Sequence, residues 1–257
     1  MTVQVSILGS SSSGNCTLVA SETTKLLIDA GLPNRVTYRR LAAANVKPQE
    51  LDGLILTHEH LDHAGSAWSI SEELGIPVFA HEDTLTALKW ADSKAWEVSL
   101  RSFECSQIGD IQLMPFSTLH DVPNIGLRFV LPGGVVVAYA TDLGSIPPVA
   151  AAMLSGANIL VLEANYDPTM LDNCSYSGAL KSRIRARDGH LSNQAVAEFV
   201  HERLTPDTQV LVLAHLSSVA NHPELARSRV QAALDERGLN PTLMVAEREA
   251  PTPTILY

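Results

Sequence analysis

Short runs of apolar and β-branched residues recur along this chain, many ending abruptly at a polar residue, and stretches with helical periodicity fall between them. Val3 to Leu8 predicts a first strand that runs out into Gly9-Ser10-Ser11-Ser12-Ser13-Gly14-Asn15. Thr17 to Ala20 and Lys25 to Ile28 predict two more, the second ending at Asp29. Arg35 to Ala44 reads as a short helix after Pro33, and Gly53 to Thr57 as a buried strand. A helix is expected from His63 to about Leu74, a strand at Val78-Phe79 and a helix near Asp83 to Trp90. The middle third is strand-rich: Ile111 to Met114, Gly126 to Leu131 and Val135 to Ala140. Pro132-Gly133-Gly134 joins the last two and signals a hairpin. Beyond it, Ile146 to Leu154 reads as helix and Asn158 to Leu162 as buried strand. Ser192 to Leu204 is a helix with Ser192 at its N-cap, and Gln209 to Ala214 is an apolar strand meeting His215. Pro223 to Arg237 is a helix stopped by Gly238. Strands precede helices in each half, with hairpins between. That order suits an α/β sandwich of two sheets with helices outside.

Composition narrows the class. The 257 residues suffice for one large α/β domain or two modest ones, and no repeat or Pro/Gly/Ser-rich linker divides them, so a single domain over 1–257 is expected. A hydrophobic content of 46% with 18% charged residues is that of a globular enzyme with a sizeable core. No apolar run approaches the ~20 residues of a bilayer span. Met1 to Val5 lacks the basic-then-apolar pattern of a secretory signal and reads as the first strand. The odd, widely spaced Cys16, Cys105 and Cys174 predict reduced thiols and a cytoplasmic home. None has an adjacent base, so all three are expected as buried thiols.

A net charge of −10 argues by itself against a general nucleic-acid binder. The basic residues, however, cluster: Lys181, Arg183, Arg185 and Arg187 lead directly into Gly189-His190-Leu191-Ser192. Alone, such a run is a solvated helix face. Beside a candidate acid it makes a local anion-binding patch inside an acidic protein.

The chemistry concentrates in Thr57-His58-Glu59-His60-Leu61-Asp62-His63, directly after Leu54-Ile55-Leu56. Imidazole nitrogen and carboxylate oxygen are the ligands of hydrolytic divalent metals. His58 and His60, alternate residues at a strand end, point the same way, and Asp62 and His63 turn back from the following helix start. The run can therefore supply two ligands to each of two adjacent metals. Further ligand candidates end later strands: His120, Asp142 and His215. Singly, Asp142 could cap a helix and a strand-end His could simply meet solvent. Together they complete a His/Asp set of the kind two-metal hydrolases use.

This pattern resembles the metallo-β-lactamase superfamily, with Asp29 before Gly31 similar to its first motif. Asp142, where a Cys would mark the antibiotic-hydrolysing branch, resembles the phosphodiesterase and thioester-hydrolase branches. No insertion of nuclease-capping-domain size lies between Asp142 and His215. Ser10 to Asn15, Leu162-Glu163-Ala164-Asn165-Tyr166-Asp167, Gly189-His190-Leu191-Ser192-Asn193 and Ala214-His215-Leu216-Ser217 resemble the bacterial YycJ/WalJ family over nearly the whole chain. The resemblance implies an αββα sandwich of two mixed sheets with helices on the outer faces, and a DNA 5′-to-3′ exonuclease acting in repair. It implies two divalent ions, zinc or manganese: His58, His60 and His120 on one, Asp62, His63 and His215 on the other, and Asp142 bridging. Asp62 would also orient the nucleophile, and Asp29 would fix the tautomer of a ligand imidazole.

Away from the metal set, His190 is expected as a phosphate contact or general acid, with helix entry as its bland role. The Gly9 to Asn15 loop lacks the Gly-Lys-Ser/Thr ending of a P-loop; its small residues suit close backbone packing or contact with a nucleic-acid backbone. Glu163 and Asn165 read equally as support for the site or as turn formers. DNA is the expected partner, with no membrane, and the oligomeric state, a homo-oligomer included, stays open. The competing enzyme reading is a small-molecule phosphodiesterase or thioester hydrolase with the same metals.

Overall fold

The computed structural model describes residues 2–88 and 96–257. Its first sheet is built from β1 (Gln4–Gly9), β2 (Cys16–Ala20), β3 (Lys25–Ile28), β4 (Gly53–Ile55), β5 (Pro77–His81) and β6 (Trp96–Leu100). The second comprises β7 (Ser106–Ile108), β8 (Ile111–Ser117), β9 (Ile125–Leu131), β10 (Val135–Ala140), β11 (Ile159–Glu163), β12 (Val210–Ala214) and β13 (Thr242–Val245). A short β14 (Ile255–Leu256) returns to β1 and closes that edge of the first sheet. Each sheet is half antiparallel and half parallel: β14-β1-β2-β3 then β3-β4-β5-β6, and β7-β8-β9-β10 then β10-β11-β12-β13.

Alternation decides which side chains lie between the sheets. Val5, Ile7, Leu26 and Ile28 of the first pack against Leu127, Phe129, Val137 and Val161 of the second, forming the central core. The intervening residues face outward, and because they too are apolar, both outer faces need a cover. On the first sheet that cover comes from α1 (Asn34–Ala43), α2 (Leu61–Ala64), α3 (Ala67–Leu74) and α4 (Glu82–Leu88). On the second it comes chiefly from α5 (Pro148–Leu154), α8 (Asn193–Arg203) and α9 (Pro223–Arg237), while α6 (Pro168–Asn173) and α7 (Gly178–Arg185) form a smaller cluster around Tyr166 and Leu171. The result is an αββα sandwich, as the order of apolar runs implied.

The predicted hairpin forms between β9 and β10, and Gly133 and Gly134 adopt φ of +82° and +79°, which residues with a Cβ rarely reach. Ser192 caps α8 through its side chain, and α9 spans Pro223–Arg237 with Gly238 left-handed at its end, as expected. The helix expected from His63 to Leu74 is instead two, because Ser66 N donates to the Ala30 carbonyl (2.8 Å) and ties the chain to the end of β3 between them. α4 is described to Leu88, and the Lys89-Trp90 end of the predicted helix lies outside the described residues. Only Cys16 is a buried thiol; Cys105 is exposed and Cys174 half-buried, because both sit in short connections rather than sheet interiors. No helix among the described residues is long and apolar enough to cross a membrane.

A candidate metal centre at the strand ends

The carboxyl ends of the parallel strands in both sheets meet along one edge of the sandwich, the crevice where layered α/β folds place their chemistry. Asp29 follows β3, Thr57 to His60 follow β4, His120 lies three residues beyond β8, Asp142 two beyond β10, Glu163 ends β11 and His215 follows β12. Asp29, Asp142 and His215 all take positive φ (59°, 56° and 56°), conformations that cost a residue with a Cβ about 1–2 kcal/mol. Each such turn leaves the strand direction at once and is held by hydrogen bonds. Asp29 N donates to Ile55 O (2.8 Å), His215 N to Ser10 Oγ (2.7 Å), and Asn124 Nδ2 donates to Asp142 O (2.6 Å).

His58, His60, Asp62, His63, His120, Asp142 and His215 are brought together. The ring of His58 lies 4.7 Å from that of His60, 4.2 Å from that of His63 and 5.2 Å from that of His120. Asp62 Oδ2 stands 3.5 Å from His63 Nε2 and 3.6 Å from His215 Nε2. A tetrahedral ion with ligands at about 2.1 Å separates them by about 3.4 Å, so these three donors fit one ion. His58, His60 and His120 form a second group, and Asp142 groups with His58 and His63 as well as with His215.

Hydrogen bonding fixes the tautomers. Asp29 is acceptor-only, so His63 Nδ1 carries the proton it shares with Asp29 Oδ2 (2.7 Å), leaving Nε2 to face the site. Thr57 Oγ1 donates to Asp29 (3.0 Å to Oδ1) and accepts from His58 Nδ1 (3.0 Å). His120 Nδ1 donates to Gly189 O (3.3 Å), and His215 Nδ1 to Glu163 Oε1 (2.8 Å). The far nitrogens of His58 and His215 are buried without a hydrogen-bond partner, while those of His120 and His63 face carboxylates, Asp121 Oδ1 at 3.1 Å and Asp142 Oδ2 at 2.9 Å. Buried acceptors left open side by side are what a cation requires. This donor set fits divalent metal.

The electrostatics agree. Burial, reinforced by His63, pushes His58 well below the usual imidazole range, so it is a neutral donor. Burial would raise the Asp142 carboxyl, but His215 and His63 hold it well below the ordinary range. Burial, the largest single effect, works against a charged His63 and His215, yet the carboxylates around them together outweigh it: Asp142 and Asp29 at the first, Asp142, Asp62 and Glu163 at the second. His63 rises well above its ordinary value and His215 to about 10. Without metal, the excess carboxylate charge holds protons on the nitrogens that face it.

Glu163 is the residue the sequence left undecided, and it forms no turn. Fully buried, it accepts from His190 Nδ1 and His215 Nδ1 at Oε1 (2.8 Å each) and from Leu143 N and Leu191 N at Oε2 (3.0 and 3.1 Å). The signal was an acid closing the wholly apolar run Ile159 to Leu162. Asn165 Nδ2 donates to His215 O (2.9 Å). In the Ser-rich loop, Asn15 Nδ2 donates to Ser11 O (2.9 Å) and lies 3.0 Å from His63 Nε2, so the loop packs against the site, and its Ser12 lines the cleft. The approach is tight, since a Cβ on Gly31 would lie 1.7 Å from Asp62 O.

His190 lines the mouth of the cleft, its ring 5.5 Å from that of His120 and 5.4 Å from that of His215. The basic run does not face the cleft as a unit. Arg183 alone of the four lines the cleft, paired with Asp121, while Lys181 Nζ donates to Asp172 O (2.8 Å) and Arg185 pairs with the Asp172 carboxylate. Arg187 is exposed outside the cleft.

Residues 11–147 match the metallo-beta-lactamase superfamily. Exodeoxyribonuclease YycJ of Bacillus anthracis is 31% identical over 241 residues, covering 93% of this chain and 91% of the relative. Exodeoxyribonuclease WalJ of Streptococcus pneumoniae serotype 2 is 32% identical over 258 residues, covering 98% and 96%. The metallo-beta-lactamase fold protein YhfI from Bacillus subtilis superposes with a TM-score of 0.75 over 100% of this chain and 98% of that one at 17% identity, a likeness of fold. By sequence match and by fold, the chain belongs to the metallo-beta-lactamase superfamily and, within it, to the family of the YycJ and WalJ exodeoxyribonucleases.

Proposed function

We propose that this protein is a two-metal exodeoxyribonuclease that shortens DNA from a 5′ end, as a cytoplasmic repair enzyme. The observation that carries the reading is the convergence of seven His and Asp donors, some of them with buried nitrogens left without a hydrogen-bond partner, in a chain related along its length to exodeoxyribonucleases. His58, His60 and His120 would hold one ion, Asp62, His63 and His215 the other, with Asp142 between them. Zinc and manganese both suit a mixed imidazole and carboxylate set. Bound there, such ions would lower the pKa of a water from 15.7 to about 7 and would offset charge on the phosphoryl oxygens.

The chain's own groups do the remaining work. Asp62 orients the attacking water. Asp29 and Thr57 fix the rings of His63 and His58, and Glu163 fixes those of His215 and His190. Because His190 Nδ1 is committed to Glu163, its Nε2 is the atom that gives a proton to the leaving oxygen. Burial disfavours the His190 imidazolium, but Glu163 more than compensates and raises it above the ordinary value, so the acid form persists near neutral pH. Arg183, at the cleft mouth, meets phosphate.

One observation favours a second reading, a small-molecule phosphodiesterase or thioester hydrolase: Lys181 and Arg185 are already engaged by Asp172, leaving a short basic footprint. Purified protein incubated with 5′-end-labelled single- and double-stranded DNA, with zinc, with manganese and after chelation, decides between them. Metal-dependent release of labelled mononucleotide is expected. DNA left intact with every metal, while a small chromogenic ester is hydrolysed, makes the second reading the right one.

A further inference from the structure

The cleft over the metal donors has two unlike sides. Its floor carries His60, Asp62, His120, Asp142 and His215, and one wall is apolar, built by Tyr176, Leu180 and Ile184. Leu180, Arg183 and Ile184 stand at i, i+3 and i+4 of α7 and so share a face, and Tyr176 lies four residues before Leu180. Ile184 is buried, Tyr176 packs partly buried against its cluster, and Leu180 remains 37% exposed toward the cavity. The Tyr176 hydroxyl has no hydrogen-bond partner among the described residues. Metal hydrolysis of a phosphodiester needs none of this apolar surface. A ligand that is anionic at one end and a flat ring at the other does.

Size restricts that ligand further. The cavity is about 370 Å³, near the lower limit for small-ligand sites. A cavity of that volume is too small to hold a duplex, whereas the end of one strand suits it. We propose that the Tyr176–Leu180–Ile184 wall seats the base of the 5′-terminal nucleotide, which leaves its stack in the DNA to lie against Tyr176 while its phosphodiester reaches the metal floor. Stacking on an aromatic ring is indifferent to base identity, so the wall recognises that a base is present rather than which base it is. Arg183, beside it on the same helix face, is placed for a backbone phosphate. This assignment rests on the phosphodiesterase reading above.

The test pairs a change in protein with a change in DNA. The metal-loaded enzyme is given single strands ending 5′ in a normal nucleotide or in a baseless tetrahydrofuran nucleotide, and kcat/KM is measured on each. The parent should prefer the normal end by about 5- to 150-fold, the range for stacking one base on an aromatic side chain. In Tyr176→Ala that preference should collapse toward one; in Tyr176→Phe it should survive. Leu180→Ala, at a partly exposed position, should also lower it and keeps the test open if Tyr176→Ala melts early or loses metal. No preference in the parent overturns the proposal, as does a preference unchanged in both a folded Tyr176→Ala and Leu180→Ala. A 5′-terminal 2-aminopurine separates this failure from failure of the nuclease reading. If no strand is cleaved yet binding quenches its fluorescence only when Tyr176 is present, the wall stands and the nuclease reading falls. If strands are cleaved without preference, the wall alone falls.

Discussion

In the proposed site Asp142 would bear on both ions at once. Its carboxylate lies 2.9 Å from His63 Nε2, 3.4 Å from His215 Nδ1 and 3.9 Å from His120 Nε2, almost wholly out of solvent. Asp142→Ala should therefore lower metal content as well as turnover, measured by elemental analysis beside the rate; full two-ion loading in the variant would remove Asp142 from the bridge. His190 predicts the opposite pattern. His190→Ala should keep near-normal metal while the rate falls by ~10²–10⁴-fold, the range for a positioned general acid. A rate equal to the parent's would return His190 to helix entry. The seven proposed donors stand out in the sequence because four crowd into one run after Leu54-Ile55-Leu56 and the other three, His120, Asp142 and His215, sit where apolar runs stop. The atoms that orient them do not: Thr57 Oγ1, Asn15 Nδ2, Ser10 Oγ and Asn124 Nδ2 act across 1 to 205 positions of sequence, and nothing local marks a hydroxyl or amide as serving a distant ring.

Strands buried on both faces, such as β2, β11 and β12, announce themselves as unbroken apolar runs, and long α9 by its Pro and Gly limits. What escaped the sequence reading was short, exposed or at an edge: β6, β7, β13 and β14, and helices α6 and α7. α7 buries only Ile184, so its residues give no core-facing stripe, and its basic residues looked like one track. The structure divides them, with Arg183 toward the cleft and Lys181 and Arg185 toward Asp172. The salt dependence of DNA binding should follow that division. Arg183→Ala should flatten the slope of log affinity against log salt by roughly one unit, and the double change at Lys181 and Arg185 by less than two. Equal flattening per residue at all three positions would mean that Asp172 does not hold its cations against DNA.

At the scale of the whole molecule, two sheets, their helices and the candidate metal centre are coupled, because the proposed donors follow the ends of strands from both sheets. Occupancy of the site should therefore appear in global stability, with a pH dependence set by His63 and His215. Both are raised in the folded, metal-free protein, His215 to about 10, because Asp142 together with Asp29 at His63, and with Asp62 and Glu163 at His215, outweighs the effect of burial. A raised imidazole contributes stability that is complete below its unfolded value, about 6.5, and is lost as pH climbs through the folded value. Between pH 6.5 and 9 the chelated protein should thus melt at progressively lower temperature. The same protons must leave for a divalent ion to bind, so metal affinity rises over that window. Asp62 and Asp142, both held low, are already ionised there and leave the trend unchanged. Free metal at 100 times its Kd adds about 2.7 kcal/mol, or about 5–10 °C in a chain of this size. The gap between metal-supplied and chelated melting temperatures should widen from pH 6.5 to 9. Calorimetric titration in buffers of different ionisation enthalpy should find about two protons released as both ions load near pH 8. A gap that narrows with pH, or loading without proton release, would mean that His63 and His215 do not hold the metal.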